Sequence, residues 1–327
     1  MVTKAPLRIT FAGGGTDVPS FYREHGPGAL LAATINRYIY VTVARNFYPD
    51  EYRISYSVTE DKVRDIDQIR HPTVRESLKL LGINKGVQIV SVTEIPSRGT
   101  GLGSSSAFLV ALLLALHTWL GENVTPETLA REAYHVEREV LKEPGGKQDQ
   151  YAAAYGGINL MEFFQDESVS VKPILLPRDK REELERSLVM FYTNREMPSS
   201  SVHEAQIAEL DGHVDAYKRM RDIAYETADA LSYMELEGVG RLMHENWSLK
   251  RGLANGITDG EIDSIYEKGL RAGAIGGKLM GAGGRGFMLF LVPKEKRRDL
   301  MAALSGYRAE EFRIEPLGAR VVYAEDF

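Results

Sequence analysis

The chain has 327 residues, 43% of them hydrophobic and 26% charged, with a net charge of −6. That length suits two domains, each with its own core, and the balance of residue types excludes a disordered or fibrous chain. Mild acidity argues against a nucleic-acid or anionic-membrane surface while leaving room for a small basic pocket, and the absence of cysteine excludes disulfides, thiolate catalysis and thiolate-bound metals.

The opening third reads as strands: "LRITFA", "RYIYVTVARNF" and "RISYSV" are rich in β-branched and aromatic residues and are broken by "GGGTD" and "YPDE". A further strand, "GVQIVSVTEIP", runs into "SRGTGLGSSSAF". From Ser104 to about Leu120 the chain is apolar on nearly every face, which predicts a buried helix. Thr125 and Pro126 supply an N-cap and a first helical residue, and the helix they start is predicted to reach about Lys142. After "GGINLMEF" the charged stretch "LPRDKREELERS" marks a boundary between domains spanning 1–180 and 181–327. The second half predicts a strand at "SLVMFYTN" and long amphipathic helices over 201–236 and 239–253. Helix, glycine-rich turn, strand, helix and strand then follow to the end. The first ten residues carry no apolar core of signal-peptide length, and the run near 109–116 is too short to span a membrane, so the expectation is a cytoplasmic protein.

A strand leading through a glycine-rich loop into a helix N-terminus is a physical recipe for holding phosphate. Glycine lets the backbone approach closely, and the free N–H groups and dipole of the first turn favour an anion. Gly99, Gly101, Leu102, Gly103 and the hydroxyls of Ser104, Ser105 and Ser106 make up this loop; a tight turn with serine caps fits the same residues. The Gly-Lys-Ser/Thr ending of the P-loop is absent, and the glycine spacing misses the dinucleotide pattern. On a helical wheel from Pro126 to Lys142, Leu129, Ala130, Ala133, Tyr134, Val136, Val140 and Leu141 fill one apolar arc. Glu137 lies near the centre of that arc. A carboxylate there must be paired, protonated or bound to metal.

Three stretches in order, "PLRITFAGGGTD", "PSRGTGLGSSSA" and "KLMGAGGRGF", resemble the three motifs of the GHMP kinases, the family of galactokinase, homoserine kinase, mevalonate kinase and phosphomevalonate kinase. The resemblance implies a two-domain α/β (α+β) fold: an N-terminal domain with a left-handed β-α-β unit and a C-terminal ferredoxin-like domain, with the site between them. It also implies ATP and Mg²⁺, with the nucleotide on residues 99–106 and the metal on Ser105 and Glu137. Twelve residues beyond Glu137, "PGGKQDQ" matches the galactokinase segment whose aspartate faces the substrate hydroxyl, which makes Asp149 the general base or orienting group. Arg8 stands where the family places a cation near that aspartate and the moving phosphoryl group.

Galactokinases read Gly-Glu-His-Thr-Asp after the first strand, where this chain has Gly13, Gly14, Gly15, Thr16 and Asp17. Gly14, Gly15, Thr16 and Asp17 are thus implied to line the sugar site, with Asp17 as hydroxyl ligand and room left by the two lost side chains. Gly281, Gly283 and Gly284 are implied to border nucleotide and sugar. The longer blocks "RITFAGGGTDVPSFYREHGPGALLAATINRYIYVTV" and "GGKQDQYAAAYGG" are similar to the heptose-phosphate kinases of that family, which implies phosphorylation of the anomeric C1 hydroxyl of a heptose 7-phosphate. Fucokinase-like and other sugar 1-kinases share the pattern. A 7-phosphate demands a second cationic cluster, for which Arg98, Lys147, Lys278 and Arg285 are candidates, each equally a solvated surface charge. The partners implied are a sugar phosphate and ATP, with a homodimer open and no nucleic acid or membrane.

Overall fold

The structure is a computed structural model that describes residues 1–84, 86–96, 99–193 and 199–325. Its strands are β1 (Val2–Ala12), β2 (Gly28–Arg45), β3 (Tyr52–Ser55), β4 (Thr59–Val63), β5 (Val87–Thr93), β6 (Ile158–Phe163), β7 (Val169–Pro173), β8 (Leu188–Tyr192), β9 (Gly276–Leu279), β10 (Phe287–Leu291), β11 (Arg308–Glu310) and β12 (Arg320–Tyr323). The larger sheet runs β12-β1-β2-β5-β3-β4, with β6 on β2 and β7 on β6. The long strand β2 pairs with β6 through Gly28–Ala33 and with β5 through Ile39–Arg45, so one strand carries two branches of the sheet. β3 and β5 are parallel; the other pairs of this sheet are antiparallel.

From Ala5 to Ala12, β1 is buried without the alternation of a one-sided strand, as expected for a strand covered on both faces. The helix Ser104–Trp119 packs on β1 and β2, and so does the helix Val214–Ser232 from the second half of the chain. The smaller sheet has the order β11-β8-β10-β9, all antiparallel. Helices separate β8 from β9 and β10 from β11, the βαββαβ connectivity of a ferredoxin-like domain.

The charged stretch taken as a boundary forms a helix, Arg178–Ser187, laced by Arg178–Glu182 and Glu182–Arg186 ion pairs and anchored by buried Leu184. The last strand, β12, pairs with β1 of the first sheet. Two expected helices are corrected. The helix expected over 201–236 is interrupted: Ser199–Ala208 is followed by a 3₁₀ turn, Leu210–His213, before Val214–Ser232 begins. Gly212 sits in that turn, where a residue of poor helix propensity ends the run. The helix expected over 239–253 spans Leu236–Lys250.

The helix begun by the Thr125 cap is α-helical only over Pro126–Tyr134 and continues as a π-helix, His135–Val140. The wider turn shifts the phase of the wheel. Val140, expected in the apolar arc, is 42% exposed at the end of the π-helix, while Glu137, in its first turn, is 5% exposed. The far end of the Ser104–Trp119 helix is tied down by His117, whose ring nitrogens lie 2.6 Å from Glu122 and 2.7 Å from Glu132.

The bond to Glu132, then that to Glu122, raises the His117 pKa in the fold. Its stabilisation is therefore full below the ordinary histidine value, about 6.5, and is lost as pH rises through the elevated one. Thermal unfolding of wild type and His117→Gln should show a stability difference that shrinks from about pH 6 to about pH 9; a pH-independent difference contradicts this.

Candidate active site

The loop before Ser104 is built on alternate left-handed residues, Gly99 (φ 68°), Gly101 (φ 73°) and Gly103 (φ 76°), a conformation only glycine adopts readily. Gly103 is the N-cap of the Ser104–Trp119 helix, and no side chain caps that helix, so its first-turn N–H groups are left to a ligand. The loop abuts the glycine turn after β9. A Cβ on Gly101 would lie 2.3 Å from the Met280 carbonyl oxygen, and one on Gly281 would lie 2.6 Å from the Gly101 Cα. The two motifs therefore meet backbone to backbone.

Arg8, on buried β1, joins this loop to the acidic motif. Its Nε donates to Asp149 Oδ1 at 2.7 Å, its Nη2 stands 2.6 Å from the same oxygen, and its Nη1 donates to the Gly101 carbonyl. Its backbone N–H also bonds Leu102 at 3.0 Å. Asp149 lies in the first turn of the helix Gln148–Tyr155 and keeps 19% of its side chain exposed, against 4% for Arg8. Oδ1 takes both guanidinium contacts, which leaves Oδ2 for a ligand.

Asp17 is 1% exposed. Its Oδ1 accepts from the Gly15 N–H (3.0 Å) and Gln148 Nε2 (3.2 Å), and its Oδ2 from the Gln148 N–H (3.1 Å). Burial raises its pKa, the Gln148 N–H opposes the rise, and the nearby Asp149 adds to it. Gly146 must be glycine here, since a Cβ would fall 2.0 Å from Asp17 Oδ2. Gln148 itself accepts from Thr10 Oγ1 at 3.0 Å, so β1 and the "GGKQDQ" turn hold Asp17 between them.

Glu137 Oε2 accepts from Ser106 Oγ at 2.6 Å and Gln150 Nε2 at 2.7 Å, with Arg138 3.8 Å from Oε1. Ser106 turns inward to the glutamate, while Ser105, expected with Glu137 as a metal ligand, is exposed at the mouth of the helix. The Ser104 hydroxyl lies 3.4 Å from Thr100 Oγ1.

A narrow cavity joins these groups and is lined by Arg8, Gly15, Asp17, Arg138, Gly146, Gln148, Asp149, His203, Gln206, Lys250 and Gly281. Of the expected sugar-site glycines, Gly15 and Gly281 lie in this wall. Gly283 and Gly284 instead pack on Ile257, Gly284 through an N–H bond of 2.8 Å to its carbonyl. Thr16 is also spent internally: its hydroxyl sits 2.9 Å from the Gly13 carbonyl and 2.8 Å from that of Ala29. Gly14 faces Thr10 and Gln148 at ordinary contact distance, but the space at Gly15 is filled by the Tyr217 ring, 3.2 Å from where a Cβ would stand.

The second domain supplies groups that the sequence motifs did not flag. Lys250 is buried at 3% exposure and donates to the Gly281 carbonyl at 2.7 Å; Gln206 donates to the Ala282 carbonyl at 2.6 Å; Asn246 accepts from the Gly13 N–H at 2.9 Å. Burial pushes the Lys250 ammonium down to about 8, and burial with Lys250 beside it pushes the His203 imidazole down to about 4. The signal for Asn246 and Lys250 was present, because both fall on the buried face of Leu236–Lys250 with Val239, Met243 and Trp247. Among the four cations considered for a substrate phosphate, Lys147 is spent on Glu167 (2.7 Å) and Arg285 faces Asp259 (3.4 Å). Lys278 is buried with no hydrogen bond to the described residues, and Arg98 lies outside them.

Residues 70–157 match the family model described as the GHMP kinases N terminal domain, and residues 228–307 match GHMP kinases C terminal. The chain is 30% identical over 317 residues to the D-glycero-alpha-D-manno-heptose 7-phosphate kinase of Campylobacter jejuni, covering 92% of each. Among solved structures it is similar to a D-glycero-D-manno-heptose 1-phosphate kinase from Bacteroides thetaiotaomicron, with a TM-score of 0.82 at 28% identity over 99% of each chain. A putative sugar kinase from Campylobacter jejuni gives a TM-score of 0.76 at 28% identity over 98% of this chain and 97% of that one. At 18% identity the galactokinase of Lactococcus lactis shares the fold, with a TM-score of 0.75 over 98% of this chain and 94% of that one. With both domain models of the family matched and a sugar-kinase relative 30% identical over 92% of each chain, the chain belongs to the GHMP kinase family and is an ATP-dependent sugar kinase.

Proposed function

We propose that the enzyme transfers the γ-phosphoryl group of ATP to the anomeric C1 hydroxyl of D-glycero-D-manno-heptose 7-phosphate, giving the 1,7-bisphosphate. The hydroxyl oxygen forms a bond to the γ-phosphorus, the bond to the β,γ-bridging oxygen breaks, ADP leaves, and the hydroxyl proton passes to Asp149. The observation that carries this reading is the position of Arg8, which touches both Asp149 and the phosphate loop. A cation so placed orients the base and offsets charge on the moving phosphoryl group. Asp17, fixed by Gly15 and Gln148, is the ligand for a second sugar hydroxyl and sets the sugar's orientation. The relative named as a heptose 7-phosphate kinase supports the choice of acceptor.

Mg²⁺ fits the far side of the loop. Glu137 is a buried carboxylate with a serine hydroxyl against it, and the neighbouring Gln150 Oε1 is buried without a partner among the described residues. No group of three His, Asp or Glu side chains is placed to hold a metal among the described residues, so an ion there relies on nucleotide oxygens for the rest of its coordination. Glu137 and a first-turn serine hydroxyl are the protein ligands in this reading, and the ion supplies charge neutralisation on the β and γ phosphates.

Asp149→Asn should lower kcat by about 10²- to 10⁴-fold with the circular dichroism spectrum retained; a variant turning over near the wild-type rate contradicts the assignment. ADP release measured on heptose 7-phosphate, plain heptose and plain hexoses should be fastest on the first, whereas faster turnover of a plain hexose would overturn the acceptor assigned here.

A further inference from the structure

Two buried lysines, Lys250 in the cavity wall and Lys278 on β9, have no carboxylate at hydrogen-bond distance among the described residues. Arg8 is matched by Asp149, and the Asp17 carboxylate is occupied by three N–H donors. Arg138 lies 3.8 Å from Glu137 and donates to the carbonyls of Pro144 and Gly146. Lys250 bonds only a neutral carbonyl, that of Gly281, and Lys278 bonds nothing among the described residues, though it is 1% exposed. An ammonium group in such a place is costly unless an anion joins it.

We propose that Lys250 and Lys278 are the seat for the acceptor's own phosphate, so that the enzyme selects a sugar phosphate over the plain sugar. This rests on the acceptor reading above. Both lysines belong to the second domain, Lys250 at the end of the helix Leu236–Lys250 and Lys278 on β9. The charged groups that bear on them are Asp17, Arg8 and, for Lys250, Asp149, while Lys250 also acts on Lys278. Glu137, on the nucleotide side, is not among them. Lys250 forms part of the cavity wall beside Asp17, Gln148 and His203, and Lys278 lies on β9, the strand that leads into the turn whose Gly281 carbonyl Lys250 bonds. A phosphate monoester supplies the charge that two ammonium groups require, and compact lysine heads suit a rotating phosphate that needs no planar fork.

The test is Lys250→Met and Lys278→Met, each of which removes a buried charge and leaves an unbranched apolar stem that the core tolerates. The ratio of kcat/KM for heptose 7-phosphate to that for plain heptose should fall by about a hundredfold in each, with the loss in KM for the phosphorylated acceptor rather than KM for ATP. Calorimetric titration of heptose 7-phosphate without ATP should show the same weakening. An equal loss on both acceptors, a rise in KM for ATP, or an undisturbed ratio overturns the proposal. A wild-type enzyme that fails to prefer the phosphorylated heptose sinks the acceptor reading and this inference together, so the two failures are told apart by which protein shows them.

Discussion

The Arg8–Asp149 ion pair is the contact around which the site is arranged. It spans 141 residues of sequence, joins β1 to the first turn of the helix Gln148–Tyr155, and reaches the phosphate loop through the Gly101 carbonyl. Taking two such charges out of water is unfavourable unless the geometry is good and the remaining donors are used. Here the guanidinium has its partners, and the aspartate keeps one oxygen toward the cavity. The buried, two-sided β1 is what makes Arg8 rigid enough to serve: a strand covered on both faces cannot let one side chain drift.

The second domain completes the site through backbone proximity. Gly101 and Gly281 pack so closely that a single Cβ on either would collide with the other loop. Lys250, Gln206 and Asn246 then bond the Gly281 carbonyl, the Ala282 carbonyl and the Gly13 N–H. The glycines of the second and third motifs are therefore structural conditions for bringing these two loops to one point. The return of β12 to β1 ties the end of the chain back to the first sheet and limits the independence of the two units.

Much of this was legible in the residues. The apolar run after the glycines and serines announced the buried helix Ser104–Trp119, and the position of Glu137 on an apolar arc announced a carboxylate with a partner. What escaped did so for identifiable reasons. A wheel at constant pitch cannot foresee the π-helix at His135–Val140, which exposes Val140. Neighbouring serines are indistinguishable in sequence, and only the helix phase assigns Ser106 rather than Ser105 to Glu137. Gly15 looked like empty space because nothing local shows that Tyr217, two hundred residues on, fills it. Lys250 and Asn246 were readable as polar residues on a buried helix face, but their meaning depends on a domain contact that periodicity does not encode.

The account's central claim is that Asp149 and Arg8 direct the new phosphate to the anomeric oxygen of a heptose 7-phosphate. Phosphorus–proton correlation NMR of the reaction product tests it directly. The account predicts a second phosphorus signal coupled to the anomeric proton beside the existing signal coupled to the C7 protons. A new phosphorus coupled to any other ring or side-chain proton would contradict it.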